Sequence, residues 1–199
     1  KTDEIKIDKK RFLSLLNKTK ISISNDDTRH YLNGIYLHAT ESEKNTFLTG
    51  VATDSHRLSS SSIQLDKLNN FSSVIIPRKT VFTLCSLLDE SDESFSIQIS
   101  DNKIKFILGK IVLISKVIDG KFPDYQKVVP KDNSKILTVL SDDFINSVER
   151  VASVSLDRKE GVKLELTQDQ LKLSVNSTNS GDGNEVVSAK YDGEDLTIG

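Results

Sequence analysis

The sequence predicts an α+β protein made of repeated units, each a helix followed by antiparallel strands. Three observations carry this. Short stretches with apolar residues three and four apart alternate with runs in which every second residue is apolar; two-residue turns link those runs as hairpins; and the order recurs about three times in 199 residues. A doubly wound parallel sheet would need one helix for each strand, whereas here strands come in hairpin-connected groups.

The first unit starts with Asp8 as an N-cap, and Phe12, Leu13, Leu15 and Leu16 form the apolar stripe of a short helix. Lys9, Lys10 and Lys18 then project from the opposite side. Ile21 and Ile23 alternate with serines, and Tyr31 to Thr40 is β-type after the turn-prone Asn25-Asp26-Asp27, so two strands are expected here. Phe47 to Ala52 and Leu58 to Ile63 read as extended too. Pro77 opens a second helix with Val81, Leu84, Cys85 and Leu88 on one face, which makes Cys85 a small core hydrophobe. A three-stranded meander follows, carried by Phe95, Ile97 and Ile99, then Ile104, Phe106 and Leu108, then Ile111, Leu113 and Ser115. Asp101-Asn102 and Gly109-Lys110 are its turns.

Asp119-Gly120, Pro123, Pro130 and the polar stretch Lys131 to Lys135 interrupt regular structure, giving domains of 1–130 and 131–199. Beyond them a strand near Ile136 to Leu140 precedes a helix capped by Ser141 and carrying Phe144, Val148 and Val151. Strands at Val162 to Leu166 and Leu171 to Val175 come next, and Gly181 and Gly183 read as a polar turn.

Bulk properties exclude several classes. With 36 % hydrophobic and 28 % charged residues the chain can bury a core, and its apolar runs are too short to span a bilayer. Lys1 opens a segment without the pattern of a secretion signal, and a lone cysteine is compatible with a reducing cytoplasm, so cytoplasmic residence and an excised piece of a longer protein are the expectations. The formal net charge of −2 lacks the basic excess of a protein that grips nucleic acid by neutralising phosphates. Charge is nevertheless uneven: Lys6, Lys9, Lys10, Arg11, Lys18 and Lys20 face only Asp8, while Asp89, Glu90, Asp92 and Glu93 form an acidic cluster.

Thr53-Asp54-Ser55-His56-Arg57 is the densest polar cluster. Neighbours on an extended chain point to alternate faces, so an Asp, a Ser and a His in succession do not make a nucleophilic triad; a small hydrolase using Asp54 and His56 is the alternative this cluster leaves, and a noncatalytic β-rich surface domain is a further one. His30, His38 and His56 lack paired ligand spacing, no glycine-rich phosphate loop occurs, and no metal or cofactor is expected.

The order of residues says more. Val51-Ala52-Thr53-Asp54-Ser55-His56-Arg57-Leu58 resembles the VATDGHRL segment of the bacterial sliding clamp, the beta subunit of the replicative DNA polymerase III. Arg29-His30-Tyr31-Leu32-Asn33-Gly34, Val74-Ile75-Ile76-Pro77-Arg78-Lys79, and Lys116 to Tyr125 (KVIDGKFPDY) resemble the same family in the same order. The resemblance implies the DNA-clamp fold, with 1–130 as the family's middle domain and 131–199 as an incomplete C-terminal domain.

It further implies a noncatalytic processivity factor. Family members are homodimer rings that encircle double-stranded DNA and bind the replicative polymerase, the clamp loader and other motif-bearing proteins. Carried over residue by residue, Lys9, Lys10, Arg11, Arg29, Tyr31, Arg78, Lys79 and Arg150 would line or flank the DNA channel. Leu32, Thr53, Ser55, His56, Arg57, Leu58, Pro123, Lys127 and Val128 would form a peptide-binding groove, with Leu32, Leu58, Pro123 and Val128 as its walls. Ser153 and Val154 would lie at the subunit interface. The chain departs from the family at His30, where tyrosine is common, at Ser55, where glycine is common, and at Lys127, where arginine is common and a planar guanidinium is lost.

Overall fold

The computed structural model describes residues 4–42, 45–66, 71–89, 94–155, 161–178 and 180–199. These fall into two compact units, Lys1–Asp124 and Tyr125–Gly199. The sequence placed the division after Pro130; contacts place it six residues earlier, directly after the Lys121-Phe122-Pro123 stretch, because Phe122 is buried in the first unit.

In the first unit β1 (Glu4–Lys6) leads into helix α1 (Lys9–Thr19), and two 3-10 segments, Lys20–Ser22 and Asp27–Leu32, precede β2 (Gly34–Ser42), β3 (Asn45–Thr53) and β4 (Leu58–Leu65). The order then repeats as β5 (Val74–Pro77), α2 (Arg78–Asp89), β6 (Phe95–Ser100), β7 (Lys103–Leu108) and β8 (Ile111–Lys116). Two four-stranded antiparallel sheets result, ordered β1-β6-β7-β8 and β4-β3-β2-β5. Each repeat thus lends its first strand to the other's sheet: β1 pairs with β6, with Glu4 opposite Gln98, and β5 pairs with β2, with Pro77 opposite Gly34. Pro77 has no amide hydrogen to offer, and the edge position of β5 tolerates it.

Both helices carry the expected buried stripes, although Pro77 closes β5 and α2 starts one residue later, at Arg78. The Asp8 carboxylate accepts from the Arg11 amide at 2.8 Å, and Phe12, Leu15, Leu16 and Thr19 are buried. In α2 the buried residues are Val81, Leu84, Cys85 and Leu88. The helices contact each other, α1 packing on β3 and β4 and α2 on β2 and β5, while Phe12 meets Phe95 of the other sheet with ring centroids 5.1 Å apart. One continuous core results.

The second unit holds a 3-10 turn (Tyr125–Lys127), β9 (Thr138–Val139), α3 (Ser141–Ala152), β10 (Lys163–Thr167), β11 (Gln170–Ser177), β12 (Gly181–Lys190) and β13 (Leu196–Ile198). Its sheet has the order β13-β10-β11-β12-β9, and Val151, Leu166, Leu171, Leu173, Val175, Val187 and Tyr191 are its core.

Four expectations are corrected. Ile21 and Ile23 do not belong to a strand: Lys20–Ser22 is a 3-10 turn that leaves Ile21 59 % exposed and buries Ile23. Tyr31 and Leu32 end the second 3-10 segment, so β2 starts at Gly34. Leu140, not Ser141, occupies the cap of α3, and no side chain caps it. Gly181 and Gly183 lie in β12, paired with Ser177 and Val175 of β11, since pairing across the hairpin outweighs the weak strand preference of glycine. A side chain at Gly183 would come within 2.8 Å of Val154 Cγ2, so the absence of one lets α3 approach β12. Of the acidic cluster Asp89 closes α2, and Glu90, Asp92 and Glu93 lie outside the described residues.

Candidate functional site

The turn joining β3 to β4 is tied together by its own side chains. The Thr53 hydroxyl donates to the Arg57 carbonyl at 2.7 Å and accepts from the Ser55 amide at 3.1 Å. Asp54 Oδ1 accepts from the amides of His56 and Arg57, each at 3.0 Å, and Oδ2 from Arg57 Nε at 3.0 Å. Partial burial pulls the Asp54 carboxyl upward, but the two amides and the Arg57 guanidinium outweigh it and hold the group below the ordinary carboxylate range. Both oxygens are therefore committed to shaping the turn, an ordinary role for aspartate in such loops and not that of a general base. Ser55 has φ 79°, the left-handed region that favours glycine, which accounts for glycine at the corresponding position of the resembled segment.

The Asp27–Leu32 segment lies against this turn. Asp26 caps it through the Thr28 amide (2.9 Å) and hydroxyl (2.6 Å), contacts that together with Arg29 hold its carboxyl down at about 2. Arg29 bridges outward, donating from Nε to Asp26 Oδ2 at 2.9 Å and from Nη1 to Ser55 Oγ at 2.5 Å. On the other side His30 Nε2 donates to the Asp119 carbonyl at 3.1 Å, and the Gly120 backbone packs against Tyr31 so closely that a Cβ there would stand 3.0 Å from the tyrosine Cβ. Phe122, 7 % exposed, stacks on Tyr36 at 4.9 Å, and Tyr36 stacks on His38 at 4.6 Å. These contacts fix the stretch that carries the exposed Pro123. Within the first unit the structure thus joins three segments that lie far apart in sequence: the Thr53–Leu58 turn, the Asp27–Leu32 segment, and residues 118–123.

The expected groove residues fare differently within it. His56 and Arg57 are exposed and Leu58 is partly so, whereas Leu32 is 2 % exposed and backs the surface from beneath. Lys127 and Val128 lie in the second unit, where Lys127 ends the 3-10 turn and Val128 is 68 % exposed.

Lys10, Arg11, Arg78 and Lys79 are exposed on α1 and α2, and Lys9 is partly so. Arg78 hydrogen-bonds Asn25 Oδ1 and sits 5.1 Å over the Phe82 ring, which Lys20 approaches to 5.5 Å. Phe82 was missed in the sequence, although its position four residues after Arg78 puts both on one helical face. Arg150 differs from the other cations: Glu185 of β12 holds its guanidinium through both carboxylate oxygens, at 3.1 and 2.5 Å. Ser153 is exposed and donates to the Arg150 carbonyl at 2.6 Å, while Val154 is half-buried over Gly183. Among the described residues no cluster of His, Cys, Asp and Glu could hold a metal, and no helix is long and apolar enough to cross a membrane.

Solved structures that share this fold are sliding clamps. A crystal structure of the Caulobacter crescentus beta sliding clamp superposes with a TM-score of 0.95 at 38 % identity, covering 98 % of this chain and 52 % of that one. A Bartonella birtlesii sliding clamp bound to griselimycin gives 0.92 at 41 % identity, covering 98 % and 53 %. In sequence the beta sliding clamp of Caulobacter vibrioides is 39 % identical over all 199 residues, and that of Escherichia coli K12 is 36 % identical over 185 residues, 93 % of this chain. The chain spans 54 % and 50 % of these relatives' lengths. Residues 6–124 match the central domain of the DNA polymerase III beta subunit, and residues 126–199 match its C-terminal domain. The chain belongs to the DNA polymerase III beta subunit family.

Proposed function

We propose that this chain acts in a DNA polymerase processivity clamp, presenting the basic faces of α1 and α2 to duplex DNA and the Thr53–Leu58 turn to peptide motifs of partner proteins. The observation that carries the reading is the joining of the turn, the Asp27–Leu32 segment and the Pro123 stretch into one surface. A peptide anchor needs apolar contacts on a frame that is already rigid, because ordering loops on binding costs affinity. Leu58 and Pro123 offer the apolar contacts, the hydrogen-bonded turn is the rigid frame, and His56 and Arg57 supply polar contacts at its rim. Lys127 and Val128, carried over by the family resemblance, are further candidates for contact with the peptide.

Lys9, Lys10, Arg11, Arg78 and Lys79 act on DNA through diffuse attraction to phosphates, which holds a duplex without fixing its register and so permits sliding. Arg29 and Tyr31 flank that surface. Arg150, already paired with Glu185, attracts phosphate less than an unpaired cation would. In this reading the protein works as a noncatalytic homodimer ring in the cytoplasm, with Ser153 and Val154 at the subunit contact and the replicative polymerase and clamp loader among its partners.

The test is a fluorescence-polarisation titration of the 199-residue chain with a labelled peptide of the glutamine-leucine-apolar type. Saturable binding is expected, with Leu58→Ala and Pro123→Ala each weakening it by about tenfold, the loss usual for an apolar anchor contact. Binding that both variants leave unchanged puts the peptide site elsewhere.

A further inference from the structure

Ser55 combines two features that seldom coincide. Its backbone is in the left-handed region at φ 79°, a conformation that costs an L-residue free energy, and its hydroxyl accepts from Arg29 across 26 positions of sequence. Strain of this kind persists where the surroundings over-determine the residue, and here the surroundings are specific. The Ser55 amide is held by Thr53, and the next two amides are held by Asp54. The Oγ is thereby aimed at an arginine whose Nε is already fixed by Asp26. Glycine would relax the backbone but could not accept from Arg29. Alanine would keep the strain and lose the acceptor.

We propose that Ser55 is a positioning residue: its hydroxyl latches Arg29 to the Thr53–Leu58 turn, so that the turn and the Asp27–Leu32 segment move as one wall of the peptide surface. This rests on the groove reading above. The latch is local, requires no ordered ligand, and uses a side chain that glycine lacks. Backbone relaxation and wall positioning are therefore opposed at this position: the residue that best fits the φ angle is the one that releases the wall.

Two readouts on the 199-residue chain separate these effects. In thermal melts Ser55→Ala lowers the melting temperature, Ser55→Gly melts above Ser55→Ala by about 3 °C or more, and the loss caused by Ser55→Ala disappears in an Arg29→Ala background. In peptide titrations Ser55→Gly weakens binding about three- to tenfold despite its relaxed backbone, the range expected for one lost hydrogen bond that orders a binding surface. A purely structural role would leave the peptide affinity of Ser55→Gly untouched. An equal melting loss from Ser55→Ala in both backgrounds overturns the latch, and Ser55→Gly binding peptide as tightly as the parent overturns its role in positioning. Failure of the parent itself to bind, with the melting cycle still coupled, overturns the groove reading and leaves the latch standing.

Discussion

Gly34→Ala is expected to be among the most damaging single-atom additions to this protein. Gly34 opens β2 opposite Pro77 of β5, and a Cβ there would overlap the Ile76 carbonyl oxygen while standing 2.9 Å from the Ile76 carbonyl carbon and 3.0 Å from Ile75 Cγ2. Two of these three atoms belong to backbone, so no side-chain rotation relieves the clash and the strands must part by about an ångström at the Gly34 and Ile35 pairings. Overpacking a well-filled interior costs about 1–3 kcal/mol, and the upper end applies where the obstacle is main chain. Against the roughly 5–15 kcal/mol that stabilises a typical domain this is a large fraction, and about 3 kcal/mol lowers the melting temperature of a unit this size by about 10–15 °C. The control is Gly161→Ala, whose Cβ would meet nothing within 4 Å and which is expected to melt with the parent. Circular-dichroism melts of the three proteins decide the matter. A Gly34→Ala transition within about 2 °C of the parent would show that β5 can slide away at little cost, and the packing reasoning would fall.

Acid stability is expected to decline in two stages as pH is lowered. Burial pushes His38 below its usual 6.5, so the unfolded chain takes up that proton more readily, and the stability present above pH 6.5 drains away as pH falls through the lowered value. Asp26 titrates at about 2 when folded against 3.8 ordinarily, so its contribution is whole above 3.8 and is lost as pH falls towards 2; urea midpoints across this range should show the second loss flattened in Asp26→Asn. Cys85 lies on the buried stripe of α2 and burial pushes its thiol upward, so alkylation by iodoacetamide at neutral pH should be slow and track unfolding, whereas rapid labelling of the folded chain would contradict its place in the core.

Much of the fold was legible because its longest signals are periodic and locally consistent. The stripe Phe12, Leu15, Leu16 is buried as expected, and of the alternation Phe95, Ile97, Ile99 the first two are buried and Ile99 is partly so, packed against the same core. The failures occurred where two structures share one short pattern. Ile21 and Ile23 are two apart, as on one face of a strand, yet Ile21 lies exposed in the 3-10 turn and Ile23, directly after it, is buried. β1 and β5 span three and four residues, too few to carry a period, and each exists because a distant strand pairs with it. The site was legible in part. Thr53 to Leu58 stood out by residue order, but nothing local announced that Arg29 would reach Ser55 or that His30 would reach Asp119, since both contacts depend on the turn of the backbone at Asp27–Leu32.

The exchange of first strands between the two repeats has a consequence for synthesis. Because β1 pairs with β6, Glu4 must wait for Gln98 before its ladder can close. At about 5–20 residues per second this is a delay of roughly 5–20 s, long compared with helix or hairpin formation. Neither repeat can finish a sheet alone: the first lacks an edge until β5 emerges, and β1 stays unpaired until β6 of the second has been made. The two halves of the unit are therefore committed to fold together, and a chain stopped between them would present an open strand edge to its neighbours.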